Sequence, residues 1–391
     1  MLDIHKLRSQ TRGCEEVLHF DNAGASLQPD YVYEAVIDYL DCERRIGGYA
    51  TARKYSSELS AFYRNFATLL NCKPEEVAFI ENATRAWDMA FYSMNLGEGD
   101  RILTAKAEYV SNSLAYLQLA KTRGVIVDIV PDDESGQLDV QALENMLDEK
   151  VKLISVTHIP TQGGLVNPAA AIGRVANKYK IPYLLDACQS VGQMPIDVKE
   201  IRCDMLSGTG RKFLRGPRGT GFLYVKSAMI EKLEPPFIDL HAAKWTANDE
   251  YQIRDDAKRF ENWECFFAGK IGLSKAVEYA ISQGLDNIYE RTRYLAQSLR
   301  DQIQQVKGVS VHDLGIEKCG IVTFTHDRIP ADIIQKALTE KKINVSTSNV
   351  SSARWDMESR NLESLTRASL HYFNTEKEVE RFCGVVERFS S

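Results

Sequence analysis

The chain has no C-x-x-C pair; its eight cysteines stand far apart, at 14, 42, 72, 188, 203, 265, 319 and 383. Such scatter fits neither a zinc site nor a disulfide framework, and it points to reduced thiols in a cytoplasmic setting. No uninterrupted apolar run reaches membrane-spanning length, and the opening MLDIHKLRSQTRGCEEVLHF lacks the apolar core of a signal peptide. Neither a membrane partner nor export is therefore expected. A basic excess is missing too: 48 Lys and Arg stand against 54 Asp and Glu, a formal charge of -6. That balance argues against a general nucleic-acid or anionic-membrane binder. Internal repeats, low-complexity tracts and long flexible linkers are absent. What remains is 391 residues, 44% hydrophobic and 26% charged, enough for one large domain and a smaller one.

From residue 77 short apolar runs alternate with amphipathic segments. The runs VAFI (77–80), RILT (101–104), VIVDIV (125–130), KLISVT (152–157), YLLD (183–186), DMLS (204–207) and GFLYV (221–225) read as strands. Helical patterns fall between several of them, as at 84–95 and 168–180. The alternation predicts an α/β fold with a mostly parallel sheet covered by helices on both faces. Ligands then bind beyond the carboxyl ends of the strands. Residues 226–268 read as an irregular hinge, followed by a small α+β domain with helices at 269–282, 284–306, 331–341 and 376–389. Its strands are expected at 320–326 and 367–373. The predicted division is an N-terminal arm (1–20), a large domain (21–255) and a small domain (256–391).

The chemistry concentrates at predicted strand ends. Asp186 closes YLLD, so its carboxylate projects from the carboxyl edge of the sheet; taken alone it also suits a helix N-cap. Lys212 follows DMLS in the glycine-rich SGTGRKFLRGPRGTGFLYV (207–225), among Arg211, Arg215 and Arg218. An aspartate and a lysine on neighbouring strand ends suit pyridoxal 5′-phosphate (PLP), the lysine for the cofactor's aldehyde and the aspartate for its pyridinium nitrogen. ENATRAW (81–87) adds a turn leading into a helix, whose amides around Asn82, Ala83 and Thr84 can meet a phosphate. Thr209 and Arg211 are placed to close that pocket. Arg215 and Arg218 are left unassigned, a dimer surface being all that their extra charge suggests.

The ordered set DACQ (186–189), TGRKFLRGPRGTGFLYV (209–225), HFDNAGASLQP (19–29), AEYVSN (107–112), VTHIPTQGGLVNP (156–168) and RASLHYFNTEKEVERF (367–382) resembles the class V aminotransferase-fold enzymes. That group includes cysteine desulfurases, selenocysteine lyases, kynureninases and isopenicillin N epimerase-like proteins. The resemblance implies a fold-type I PLP enzyme with a seven-stranded sheet and a small C-terminal domain. It makes Lys212 the Schiff-base lysine, Asp186 the pyridinium partner, Gln189 a donor to the phenolic oxygen and Tyr109 the ring that stacks on the cofactor. Tyr109 is also a candidate for proton transfer. Ala83, Thr84, Thr209 and Arg211 fall at phosphate-binding positions and His158 near the cofactor. Thr220 falls where a partner subunit completes the phosphate site, implying a homodimer. Arg367 falls where the family grips an amino acid's α-carboxylate, with Asn22, Thr161 and Tyr49 as further substrate contacts.

One stretch departs from the desulfurase pattern: residues 343–366 contain no cysteine, where those relatives carry a persulfide-forming thiol. RRIGGYA (44–50), PTQGGLVNP (160–168) and RFENWE (259–264) are similar to hercynylcysteine sulfoxide lyases. The expectation from these features is a C–S lyase releasing pyruvate and ammonia from an S-substituted cysteine, with a class V aminotransferase or an epimerase as alternatives and a desulfurase disfavoured. Phe260, Glu261 and Trp263 then either line the substrate mouth or pack the hinge.

Overall fold

Strands form where buried apolar runs predict them, because a strand covered on both faces has no need of polar alternation. The computed structural model describes residues 2–390. Helices α1 (Asp30–Ile46) and α2 (Ser56–Leu70) precede β1 (Val77–Ile80), α3 (Ala83–Tyr92), β2 (Arg101–Ala105), α4 (Val110–Arg123) and β3 (Ile126–Val130). Then come β4 (Val151–Thr157), α5 (Ala169–Tyr179), β5 (Tyr183–Asp186), β6 (Met205–Thr209) and β7 (Gly221–Val225). The seven strands lie in the order β1-β7-β6-β5-β4-β2-β3. Only β7 runs against its neighbours β1 and β6, while the other pairings are parallel.

Successive residues on each strand serve opposite faces. Leu103, Leu185 and Phe222 join one core with Phe66, Ile172 and Leu273, and Ile102, Leu184 and Leu223 join the other with Trp87 and Tyr116. A Cβ on Gly173 would collide with the Ile201 carbonyl, so glycine is what lets α5 approach that turn. The parallel arrangement brings the ends of β2, β4, β5 and β6 to one edge of the sheet.

The segment expected to be irregular contains an exposed hairpin, β8 (Ala243–Ala247) with β9 (Glu250–Ile253). It escapes a periodicity reading because both of its faces meet solvent. Helix α6 (Phe267–Gln283) packs on the large-domain core through Leu273, Ala276 and Val277. Beyond it, α7 (Leu285–Ile303), β10 (Val309–Val311), β11 (Ile321–His326), α8 (Ala331–Glu340), β12 (Ser346–Asn349), β13 (Ser364–Ser369) and α9 (Glu376–Ser390) build the small domain. Its antiparallel sheet has the order β10-β11-β13-β12.

The N-terminal residues are sewn into that small domain. Leu18 and His19 pair in parallel with Ile343 and Asn344, and Leu18 and Phe20 enter the core holding Val322, Phe324 and Phe382. A bridge from Asp21 to Ser369 continues the contact to the end of β13, which sets Asp21 beside Arg367. Among the described residues no helix is long and apolar enough to cross a membrane.

Candidate active site

The carboxyl edge of the sheet opens into a cavity lined by strand ends, the turns that follow them and the first turns of helices. Asp186, at the tip of β5, is 5% exposed. Its Oδ1 accepts the Cys188 amide at 2.9 Å and its Oδ2 accepts Asn112 Nδ2 at 3.1 Å. Burial raises its pKa above the ordinary carboxylate range, and these two donors oppose the rise. Lys212 is 8% exposed on the turn after β6. Desolvation lowers its pKa, Arg211 adds to the lowering, and Asp186 works against it. A lysine so placed is easier to hold neutral, as a nucleophilic amine must be.

The cavity is lined at one end by Asn82, Ala83 and Thr84, together with Thr209 and Arg211. Asn82 caps α3 by accepting the Arg85 amide at 2.9 Å, which leaves the preceding amides of the helix start free for an anion. Arg211 is steadied through its Nη1, which donates to the Gly24 carbonyl. Tyr109, Asn112, Thr161, Cys188 and Gln189 complete the walls around Lys212 and Asp186. Gln189 donates to the Ala23 carbonyl at 3.2 Å, while its buried Oε1 has no partner within the chain.

Arg367 approaches from β13 and is 6% exposed. Its Nη1 donates to Thr161 Oγ1 at 2.6 Å and to the Thr161 carbonyl at 3.3 Å, and its Nη2 meets Asp21 Oδ1 at 3.2 Å. Its Nε is buried without a partner. Asn22 lies behind this group, donating to the Ser369 carbonyl at 2.8 Å and accepting from Ser26 at 2.6 Å. His158 supports the Asp186 backbone, its amide donating to the Asp186 carbonyl at 2.9 Å. Burial pushes its ring down to about 4, so the imidazole is neutral at pH 7.

Several expected residues stand elsewhere. Tyr49 is 71% exposed and lines a separate surface groove with Leu40, Trp263 and Phe266. Thr220 is 1% exposed, and its hydroxyl donates to the Pro217 carbonyl at 2.6 Å. Phe260 belongs to the core beside Ala78 and Trp87. Glu261 is buried under the hinge, accepting from Tyr63 at 2.9 Å and from the Phe79 amide at 2.8 Å. The hinge-packing reading is the one that describes both. Arg215, left without a role, is buried at 2% exposure, whereas Arg218 is exposed.

Sequence reasoning passed over Glu108 and Asn112, although both lie in AEYVSN, and Cys188, within DACQ. Asn112 lies in the first turn of α4 and Glu108 two residues before that helix begins, so no helical periodicity marked the pair.

The donor set matches PLP. Free helix-start amides with Thr209 and Arg211 answer a phosphate, a buried amine answers an aldehyde, a buried carboxylate answers a pyridinium, and the orphaned Gln189 Oε1 is an acceptor open to a donor in the site. A model of the aminotransferase class-V family matches residues 18–382. The chain belongs to the aminotransferase class-V family. It is a fold-type I enzyme architecture that uses PLP. The protein is similar to a probable cysteine desulfurase of Pyrococcus abyssi, with 28% identity across 95% of this chain and 94% of the relative. It also resembles the solved apo cysteine desulfurase of Thermococcus onnurineus NA1, at 26% identity and a TM-score of 0.93, over 100% of this chain and 98% of the other. A complex of the cystine C–S lyase C-DES with cysteine persulfide superposes with a TM-score of 0.87 at 22% identity, over 97% of this chain and 99% of that one. That last likeness shows the fold alone.

These relatives correct the expected activity. Curated relatives matched over nearly the whole chain are named cysteine desulfurases, not C–S lyases, and nothing favours a hercynylcysteine sulfoxide lyase branch. The expectation failed because a missing cysteine at 343–366 speaks only of where sulfur is held. It does not decide whether the C–S bond is broken with transfer of the sulfur or by elimination.

Proposed function

We propose that this class-V protein removes sulfur from cysteine or a cysteine-like amino acid and passes it to a thiol outside residues 343–366. The observation that supports it most is the pairing in one site of a buried lysine, Lys212, with a guanidinium, Arg367, held across the cavity wall by Thr161. It gains weight from the names of the full-length relatives. Bound PLP supplies an electron sink for negative charge formed at the substrate α-carbon. Lys212 Nζ takes and returns the α-proton, and Asp186 keeps the ring nitrogen protonated from its buried position. Gln189 and Tyr109 hold the ring, His158 backs Asp186, and Ala83, Thr84, Thr209 and Arg211 hold the phosphate. Arg367, steadied by Thr161 and Asp21, binds the carboxylate, with Asn22 a further substrate contact.

In the overall reaction cysteine and a thiol give alanine and a persulfide. The carbon–sulfur bond breaks, a sulfur–sulfur bond forms, and the β-carbon takes up a proton, with no outside oxidant or reductant. The test is PLP-loaded protein with L-cysteine and excess dithiothreitol. Alanine and sulfide in equal amounts are expected; pyruvate with ammonia, or no product from cysteine, would overturn the reading. A second expectation follows from the forked geometry at Thr161. Arg367→Lys should raise KM for the amino acid by about 10- to 100-fold with a smaller change in kcat, because an ammonium cannot make the paired contact. An unchanged KM would remove Arg367 from the substrate.

The reading includes a homodimer. The groove with Leu40, Tyr49, Trp263 and Phe266 exposes rings whose burial a second copy would supply, and sedimentation of a monomer at micromolar concentration would exclude it. It also includes a reducing, cytoplasmic setting for the eight free thiols, and the division at residues 20 and 255 with α6 bracing the small domain on the large one.

A further inference from the structure

Beneath the cofactor cavity lies a second buried carboxylate to which the proposed chemistry gives no task. Glu108 precedes Tyr109 and is 2% exposed. Asn112 Nδ2 donates to Glu108 Oε1 at 3.0 Å and to Asp186 Oδ2 at 3.1 Å, so one amide group joins the two carboxylates. Glu108 also accepts the Tyr109 amide at 2.7 Å, Thr104 Oγ1 at 3.1 Å and the Thr157 hydroxyl. These donors come from β2, β4 and α4. The titratable neighbours are Asp186 and the buried Tyr116, whose hydroxyl lies 3.5 Å from Glu108 Oε2, with Lys212 beyond Asp186.

We propose that Glu108 is a positioning residue for the cofactor's ring nitrogen: through Asn112 it fixes the Asp186 carboxylate, and its own charge strengthens the hold on a protonated ring. The inference rests on PLP as cofactor and is independent of the sulfur chemistry. Two carboxylates a single amide apart repel, and without a cation one of them tends to keep its proton. Burial first, and then Asp186, push Glu108 up to about 7, against the hydrogen bonds from Thr157, Tyr109 and Asn112. A protonated ring beside Asp186 favours the ionised form, so binding expels the Glu108 proton. The sign follows by linkage: cofactor affinity gains with pH until Glu108 is already ionised in the empty site.

The test compares PLP dissociation constants of the apo protein and Glu108→Gln from pH 6 to pH 8, read by cofactor absorbance. Ionisations of the cofactor phosphate and of Lys212 are common to both, so the ratio of the two constants isolates Glu108. The ratio should grow by about tenfold across that range. A ratio that is constant with pH, whatever its size, shows a purely structural role and overturns the proposal. Should Glu108→Gln fail to fold, Asn112→Ser decides: it should weaken PLP binding at pH 8 by at least about fivefold, and affinity within twofold of the native protein overturns the relay.

Discussion

Replacing Lys212 by alanine is expected to lower turnover by about 10³- to 10⁴-fold and to remove the visible absorbance that a lysine-linked PLP confers. The magnitude is that of losing a positioned general base together with the group that anchors the cofactor. Burial and Arg211 both depress the ammonium form of Lys212, so the neutral amine is more available near pH 7 than on an exposed lysine. Lys212→Arg separates charge from reactivity. It keeps the cation and the length but cannot give up a proton at working pH, so it should be as inactive as the alanine variant. The phosphate contacts proposed at Ala83, Thr84, Thr209 and Arg211 do not depend on Lys212, so both variants should still take up PLP without fixing it. Turnover within tenfold of the native protein, or an unchanged absorbance band in Lys212→Ala, would remove Lys212 from the chemistry.

How far the sequence discloses this site depends on how local each part is. Asp186 and Lys212 were readable because one closes the buried run YLLD and the other follows DMLS in the next turn, with Thr209 just before it, and strand ends of a parallel sheet share one edge; Gln189 came only with the resemblance. β1, β5 and β7 begin and end where their apolar runs do. The hairpin β8–β9 was unreadable since its residues are almost all exposed, which erases the period-two pattern. At 367–373 a single strand was expected, yet β13 ends at Ser369. His371 and Asn374 close a buried turn there, the His371 amide donating to Asn374 Oδ1 at 2.8 Å, and a buried turn is as apolar as a strand. The meeting of Arg367 with Asp21 joins residues 346 apart in sequence. Only the resemblance pointed to Arg367, and nothing local pointed to Asp21. Glu108 was hidden for another reason: a carboxylate beside a tyrosine reads as surface charge until the fold places it under Asp186.

Arg215 shows the same limit from the side of stability, and Arg215→Met should destabilise the protein by about 3 kcal/mol, lowering the thermal midpoint by roughly 5 °C. Next to glycines and two other arginines it resembled surface charge. In the fold its Nε donates to the Leu27 carbonyl at 2.9 Å, Nη1 to Tyr372 Oη at 2.7 Å and Nη2 to Thr11 Oγ1 at 2.7 Å. The guanidinium lies 4.3 Å from the centre of Phe373 and 5.3 Å from that of Tyr372, in the range of cation–π attraction. None of these partners is a carboxylate, so the cation is held by neutral dipoles and ring faces. Methionine of similar length refills part of the space, and relief of the buried charge offsets some of the loss. It still leaves the Leu27 carbonyl and the Tyr372 hydroxyl without their partner in a dry interior, the larger cost, while Thr11 keeps its bond to the Leu7 carbonyl. Because Arg215 lies three residues after Lys212 and ties both the N-terminal arm and residue 372 to that turn, the variant should also release PLP faster during dialysis. A midpoint within 1 °C of the native protein would show that the arm and the lysine turn are held without it.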